Sequence, residues 1–330
     1  MAVRFSTLAR ATRSRVRRVE LHVTPCIVAH PPDELFHDVL VVPANEFLVG
    51  TSLPYFPIGG PVPEPLPPGV TNSVWGGMEA GHGMMYSVQV VDGAVTEFGG
   101  HELVQALKGV PIVDTTESHD GEPRNGHLPP RRCRIGNAVY TIAAGSLKYN
   151  FGSLVHTVPP FRSDHNWDEL LASCYQSSLD IAIRKQRGKQ GARGEGSCDV
   201  QGSHAICGGD VGNGNSGDAY GRGTRESVRN YDDRGQDDGA SFSVAVPLLG
   251  AGARGAPTDE AAAVAANAIS RWASSSGTIE APCKQSEPSA SREEATTSGV
   301  VLRFGVLDNE VAGLIEASFR ASGWRVLESA

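Results

Sequence analysis

Residues 241–272 read SFSVAVPLLGAGARGAPTDEAAAVAANAISRW, and the rest of the chain can be arranged around them. Phe242 to Leu249 is a short apolar run rich in valine and leucine, which suits a strand buried on both faces. Gly250, Gly252 and Gly255 then punctuate a loop that Pro257 closes. Thr258 is placed to cap a helix, with Asp259 and Glu260 in its first turn. Ala261, Val264, Ala265, Ala268, Ile269 and Trp272 recur at helical spacing on one face. The unit is strand, glycine loop, helix. Such a loop suits a phosphate, because glycines let backbone N–H groups turn inward beside the unpaired N–H groups of a helix start. Asp259 and Glu260 oppose an anion on the helix axis, so the loop N–H groups would do most of the binding. The alternative, an ordinary tight connection, stays open.

The same alternation recurs along the chain. Val19 to Val23 reads as a strand, and Asp38 to Val42 as a second, apolar one that ends in Pro43-Ala44-Asn45. Asn45 is either a ligand contact at a strand end or a turn-former. Residues 101–109, HELVQALKG, are helix-like, with Leu103, Val104 and Leu107 on the apolar side. Asp92, beside a glycine in an apolar setting, is a cap or a functional acid. Asn137 to Ala143 and Leu154 to Val158 read as strands, the latter interrupted by His156, which is read as a hydrogen-bonded core residue. Asn166 is placed to cap a helix whose inner face runs from Trp167 to Ile183. Gly299 to Leu307 is a further strand. Asp308 and Asn309 offer caps for a helix with Val311, Leu314, Ile315 and Phe319 on one face, and Trp324 to Leu327 closes the chain as a strand. Alternating β and α with apolar strands predicts a three-layer α/β/α fold with a mostly parallel sheet.

Between these units lie polar or glycine-rich stretches, expected as insertions at about 50–88, 187–240 and 274–298 within a single domain of residues 18–330. The first carries Gly76, Gly77, Gly81 and Gly83, a second anion loop or simple turns. In the second, Cys198, His204, Cys207 and Asp210 match no standard zinc spacing, so no metal is expected. Residues 1–17 carry Arg4, Arg10, Arg13, Arg15 and Arg17 and read as a basic, partly disordered arm or an organellar transit segment. The chain has 330 residues and a formal net charge of −8, which argues against general nucleic-acid binding. No apolar run approaches membrane-spanning length, so no membrane partner is expected. The six cysteines form no CxxC pair, and reduced thiols in an intracellular protein, cytoplasmic or nuclear, are expected.

In order, these pieces resemble the macrodomain family, the ADP-ribose-binding, Appr-1-p processing-like α/β/α module. The matching residues are Val42-Pro43-Ala44-Asn45 for Asn-Ala-Ala-Asn after a strand, and Val91-Asp92-Gly93-Ala94-Val95 before Gly99-Gly100. Further matches are residues 136–141 (GNAVYT), 155–160 (VHTVPP), the helix LLASCYQSSLDIA and residues 247–262. The resemblance implies that Gly250, Ala251, Gly252, Ala253, Arg254 and Gly255 cradle a diphosphate. It places Asn45 and Asp92, the candidate catalytic pair, near the distal ribose, where some members cleave ADP-ribosyl bonds. Val91 and Gly93 join the ligand-binding set, with Gly76 and Gly77 as stand-ins for the family's glycine run. The implied partner is ADP-ribose or an ADP-ribosylated protein, with no resident cofactor. The chain departs from the family where Cys26 replaces the adenine-binding Asp, Pro43 the first Asn, and Arg254 an aromatic.

Four functions remain in play. They are an ADP-ribose or nucleotide diphosphate binder, an ADP-ribosyl hydrolase, a degenerate protein-interaction scaffold and a dinucleotide oxidoreductase. The last rests on the GxGxxG spelled by Gly250, Gly252 and Gly255 with Asp308 downstream. Too little chain follows that motif for a nucleotide half-domain and a substrate domain.

Overall fold

The computed structural model describes residues 3–10, 16–24, 26–31, 36–50, 54–55, 88–89, 91–113, 130–194, 241–252, 254–275 and 299–327. In chain order the elements are β1 (Val3–Arg10), β2 (Val16–Val23), β3 (His37–Pro43), β4 (Pro54–Tyr55), β5 (Val88–Gln89), α1 (Val91–Lys108), β6 (Ala138–Ile142), β7 (Phe151–Thr157), α2 (Trp167–Gly194), β8 (Ser243–Pro247), α3 (Thr258–Ser274), β9 (Val300–Val306), α4 (Asn309–Ala321) and β10 (Trp324–Val326). Eight strands form one sheet in the order β10-β1-β2-β9-β8-β3-β7-β6, and β4 pairs with β5 separately. Strands β2, β9, β8, β3 and β7 run parallel, while β10, β1 and β6 join antiparallel at the two sides.

Strand alternation sorts the core into two layers. Val39 and Val41 of β3 pack with Val244, Val246 and the apolar faces of α2, α3 and α4. Leu40 and Val42 point the other way, onto Ala94, Val95, Leu103 and Leu107 of α1. The sheet is therefore covered on both faces, as the apolar strands require. Helix α3 buries Ala261, Ala265, Ala268, Ile269 and Trp272, the predicted face apart from half-buried Val264. Its small side chains let α3 lie close against α2 and α4. Asp308 caps α4, its Oδ1 accepting from the Val311 N–H at 2.8 Å.

Charged groups are buried over β2 and β9. Glu20 is fully buried, with Arg303 Nε at 2.8 Å, Arg18 Nε at 2.5 Å and His22 Nε2 at 3.5 Å. Arg303 reaches on to His37, Nη1 to Nδ1 at 3.4 Å, and His37 stacks on Phe151. Burial alone would raise the Glu20 pKa. Hydrogen bonds from His22 and Arg303 and the charges of Arg303 and Arg18 outweigh it and hold the carboxyl at about 2.

Four expectations are corrected here. The basic arm of residues 1–17 is in part strand β1, held between β2 and β10 with Leu8 fully buried. A register shift between Arg4 and Ser6 breaks the alternation that would have announced it. Helix α1 begins at Val91, ten residues before the helix-like run, and Gly100 breaks it at φ 58°, ψ −156°. Helix α2 continues to Gly194, into the expected insertion. Pro257, not Thr258, occupies the cap position of α3, and Thr258 is its first helical residue. The candidate metal cluster at 198–210, the glycines at 76–83 and most of the three insertions lie outside the described residues.

His156 is a hydrogen-bonded core residue, its Nε2 2.9 Å from Thr141 Oγ1. Burial pushes its pKa from 6.5 down to about 4. Unfolded chain takes up a proton there below pH 6.5 and folded chain does not. Stability should therefore fall by up to about 3 kcal/mol from this group as pH drops from 6.5 to 4. Glu20 acts lower: its contribution, full above 4.5, is lost as pH falls toward 2. Urea midpoints measured across pH 7 to 2 check both, and His156→Gln should flatten the upper part of the curve. At neutral pH, Glu20→Gln should cost about 3–5 kcal/mol, because it strands buried cations.

Candidate functional site

Strands β3 and β8 are neighbours in the sheet and run parallel. Beyond its carboxyl end, β3 leads to α1 on one face, whereas β8 leads to α3 on the other. The two connections diverge and leave a crevice at the carboxyl edge, the position where open α/β sheets hold ligands. Residues 44–50, the start of α1, residues 248–252 and 254–257, and residues 158–166 surround it.

The loop after β8 is held from below. Leu249 N–H donates to the Tyr175 hydroxyl at 2.9 Å, and burial drives that hydroxyl's pKa upward. Gly250 turns the chain at φ 83° against Leu171, and the Ala256 N–H closes back on the Gly250 carbonyl at 3.1 Å. Gly255, at φ 74°, donates to the Gly252 carbonyl at 2.9 Å. Among the described residues, the N–H groups of Gly250, Ala251 and Gly252 meet no acceptor. The loop is thus a set of fixed, unpaired donors.

Arg254 extends from this loop across the crevice. Its Nη2 donates to the Ala44 carbonyl at 3.2 Å, and its guanidinium lies over the Phe161 ring at 4.3 Å. The Arg254 carbonyl accepts from the Arg162 N–H at 2.8 Å, tying the loop to residues 158–166. Burial lowers the Arg254 pKa, while nearby Asp92, Glu46 and Asp164 raise it. A guanidinium keeps its proton under such opposing effects. Asp164 itself is spent on the Phe161 N–H, at 2.8 Å, and Glu46 on Arg131, at 3.1 Å.

Asn45 and Asp92 both sit at this edge. The Asn45 amide organises its own turn: Oδ1 accepts from Phe47 and Val49 N–H groups, both at 3.2 Å, and Nδ2 donates to the Val49 carbonyl. Leu48 in that turn is left-handed, at φ 55°. Asp92, the second residue of α1, is half-buried, and its Oδ1 accepts from the Gly93 N–H at 2.9 Å. Val91 begins the same helix and Gly93 is buried in its first turn. Gly76, Gly77 and Ala253 lie outside the described residues.

Cys26 follows β2, beside buried Ile27 and Val28, and its Sγ accepts from the Ala29 N–H at 3.5 Å. The described turn at 26–31 carries no carboxylate. Cys174 lies within electrostatic reach of Arg254, but burial pushes its thiol up to about 11, and that of Cys133 up to about 12. Both stay protonated at neutral pH and make poor nucleophiles. The arrangement offers an anion donors and one cation, and no activated nucleophile among the described residues. Phe161, Asp164 and Tyr175 were missed as site residues. Phe161 follows Pro159-Pro160 at the end of an apolar strand, a signal that could have placed it at the crevice.

No family model matches the sequence, and no curated protein matches it. Solved structures similar to the chain are macrodomains. The Oceanobacillus iheyensis macrodomain with ADP is 14% identical, with 97% of this chain and 96% of that one covered and a TM-score of 0.47. A variant of the same macrodomain with ADPR is 16% identical, with 97% and 98% covered and a TM-score of 0.44. The Trypanosoma brucei macrodomain in complex with ADP is 14% identical, with 92% and 69% covered and a TM-score of 0.43.

The loop should be sensitive to its geometry. Gly250→Ala places a Cβ at φ 83° and about 3.1 Å from the Leu171 side chain. It should lower stability by roughly 1–2 kcal/mol or more. Tyr175→Phe should cost about 1–3 kcal/mol by leaving the buried Leu249 N–H without its acceptor. Thermal denaturation of the two variants checks both values.

Proposed function

We propose that the chain is a divergent macrodomain that binds ADP-ribose or a related nucleotide diphosphate in this crevice. The N–H groups of Gly250, Ala251 and Gly252, with the Arg254 guanidinium, hold the diphosphate, and Ala253 and Gly255 complete the loop. Val91 and Gly93, at the start of α1, approach the same anion, the Gly93 N–H exchanging its bond to Asp92 for one to the ligand. The observation that carries the reading is the meeting of the β3 end, the α1 start and the β8 loop at one edge, bridged by Arg254. Cys26 leaves the base without a carboxylate partner, so affinity rests mainly on phosphate and ribose contacts.

Hydrolysis of ADP-ribosyl groups is the second reading. It is favoured by Asp92, which stands within electrostatic reach of Arg254, where an acid can orient water or substrate. The engagement of the Asn45 amide within its own turn favours binding over catalysis.

Titration calorimetry of the folded chain with ADP-ribose tests the proposal. Saturable binding is expected, and Arg254→Ala should weaken it by about tenfold or more, the worth of a charge-assisted hydrogen bond. Absence of heat at millimolar ADP-ribose, with circular dichroism confirming the fold, would reject it and leave the scaffold reading. Turnover of an ADP-ribosylated protein that disappears in Asp92→Ala would promote the hydrolase reading.

A further inference from the structure

A second polar groove lies far from the crevice. Helix α3 starts at the carboxyl edge of the parallel strands and ends near their amino edge, where β1 also ends. There Arg10, Asn267, Ser270, Arg271, Ser274, Ser275 and Ser322 line a groove of about 630 Å³. That volume lies within the roughly 300–1,000 Å³ of small-molecule sites. No carboxylate is among the described residues that line it.

The hydrogen bonding of this groove is one-sided. Its acceptors are already used: the Ser270 carbonyl takes Arg10 Nη1 and the Ser274 hydroxyl, both at 2.7 Å. The Ser275 hydroxyl donates to the Trp272 carbonyl at 2.8 Å. The Ser322 hydroxyl is shared between Asn267 Oδ1 at 3.1 Å and the Ser318 carbonyl at 3.0 Å, and Ser270 Oγ accepts from Trp324 Nε1 at 2.7 Å. Of the carbonyls ending α3, which would repel an anion, those of Arg271 and Trp272 are covered, by the Ser275 N–H and hydroxyl. What is left over donates. Asn267 Nδ2, the rest of the Arg10 fork and the whole Arg271 guanidinium have no acceptor among the described residues. Two guanidinium groups and an amide, with no acid between them, match the oxygens of a phosphate.

We propose that this groove is a binding site for a small phosphate-bearing ligand, separate from the crevice. Arg10 and Arg271 fork the phosphate oxygens and the Asn267 amide donates a further hydrogen bond. Arg10, part of the arginine-rich start of the chain, thus serves the fold and the ligand at once.

The test is calorimetric titration of inorganic pyrophosphate, with AMP in a parallel arm, into the full chain carrying Arg254→Ala, so that the crevice has lost its cation. Pyrophosphate should still bind. Adding Arg271→Glu should weaken it at least tenfold, and Arg271→Gln should weaken it severalfold. Arg271 makes no contact on which folding rests, and Asn267→Asp gives an independent second variant in the same direction. If AMP binds more tightly than pyrophosphate and responds to Arg271 alike, the ligand is a nucleotide; the reverse order assigns the site to phosphate groups alone. Pyrophosphate affinity unchanged by Arg271→Glu, or no binding at millimolar concentration, overturns the proposal. Arg271→Glu with Arg254 intact should bind ADP-ribose as the unaltered chain does, which separates failure here from failure at the crevice.

Discussion

The parallel pairing of β3 with β8 is the constraint on which the rest depends. Each strand is buried on both faces, so each must leave the sheet toward a helix that covers one of them. Neighbouring parallel strands that depart to opposite faces cannot keep their following loops together, and the space between them is the crevice. The pair is locked at its other end as well. Asp38 Oδ2 accepts from the Ser243 N–H at 2.8 Å and lies 3.1 Å from its hydroxyl, fixing β3 against β8 where the strands begin. Anything that shifts this register moves Asn45 relative to the Gly250 loop.

The two faces of the sheet are stabilised differently. Over α2, α3 and α4 the packing is aliphatic and aromatic, with Phe319 edge-on to both Phe304 and Trp324. On the other face, beyond the reach of α1, Glu20, His22, Arg303 and His37 form a buried polar row, with the partly exposed Arg18 on Glu20. Such a row is costly to desolvate and adds little net stability. Its geometry is demanding, because each member left alone would be severely destabilising. It resists slippage between β2 and β9, where a shift of one residue would turn these charges into the aliphatic layer.

The crevice brings together backbone donors and one cation. Its loop N–H groups are held in place by Tyr175 and Leu171 beneath them, so the loop is ordered by its own contacts. Arg254 is stacked on Phe161, desolvated and close to Asp92, Glu46 and Asp164, of which Glu46 and Asp164 are also engaged elsewhere. The nearby thiols are held protonated by burial.

Layer order, strand positions and most buried faces were legible in the residues themselves. Apolar runs such as Val39 to Val42 and the helical spacing of Ala261, Ala265 and Ile269 report burial directly, because the hydrophobic effect acts on each residue locally. Strand β1 was not legible, since its bulge hides the period and its arginines resemble a solvated arm. Nor was the early start of α1, where Gly99 and Gly100 read as a break between elements, not a kink within one. The sequence by itself determined most of the strands and helices and that an Asn, an Asp and a glycine loop follow them. Only the tertiary structure decided that Arg254 spans these parts, that Asn45 spends its amide on its own turn, and that Arg10 and Arg271 line one groove. Those are contacts between residues far apart in the chain, and they depend on strand order and helix placement, which no local pattern encodes.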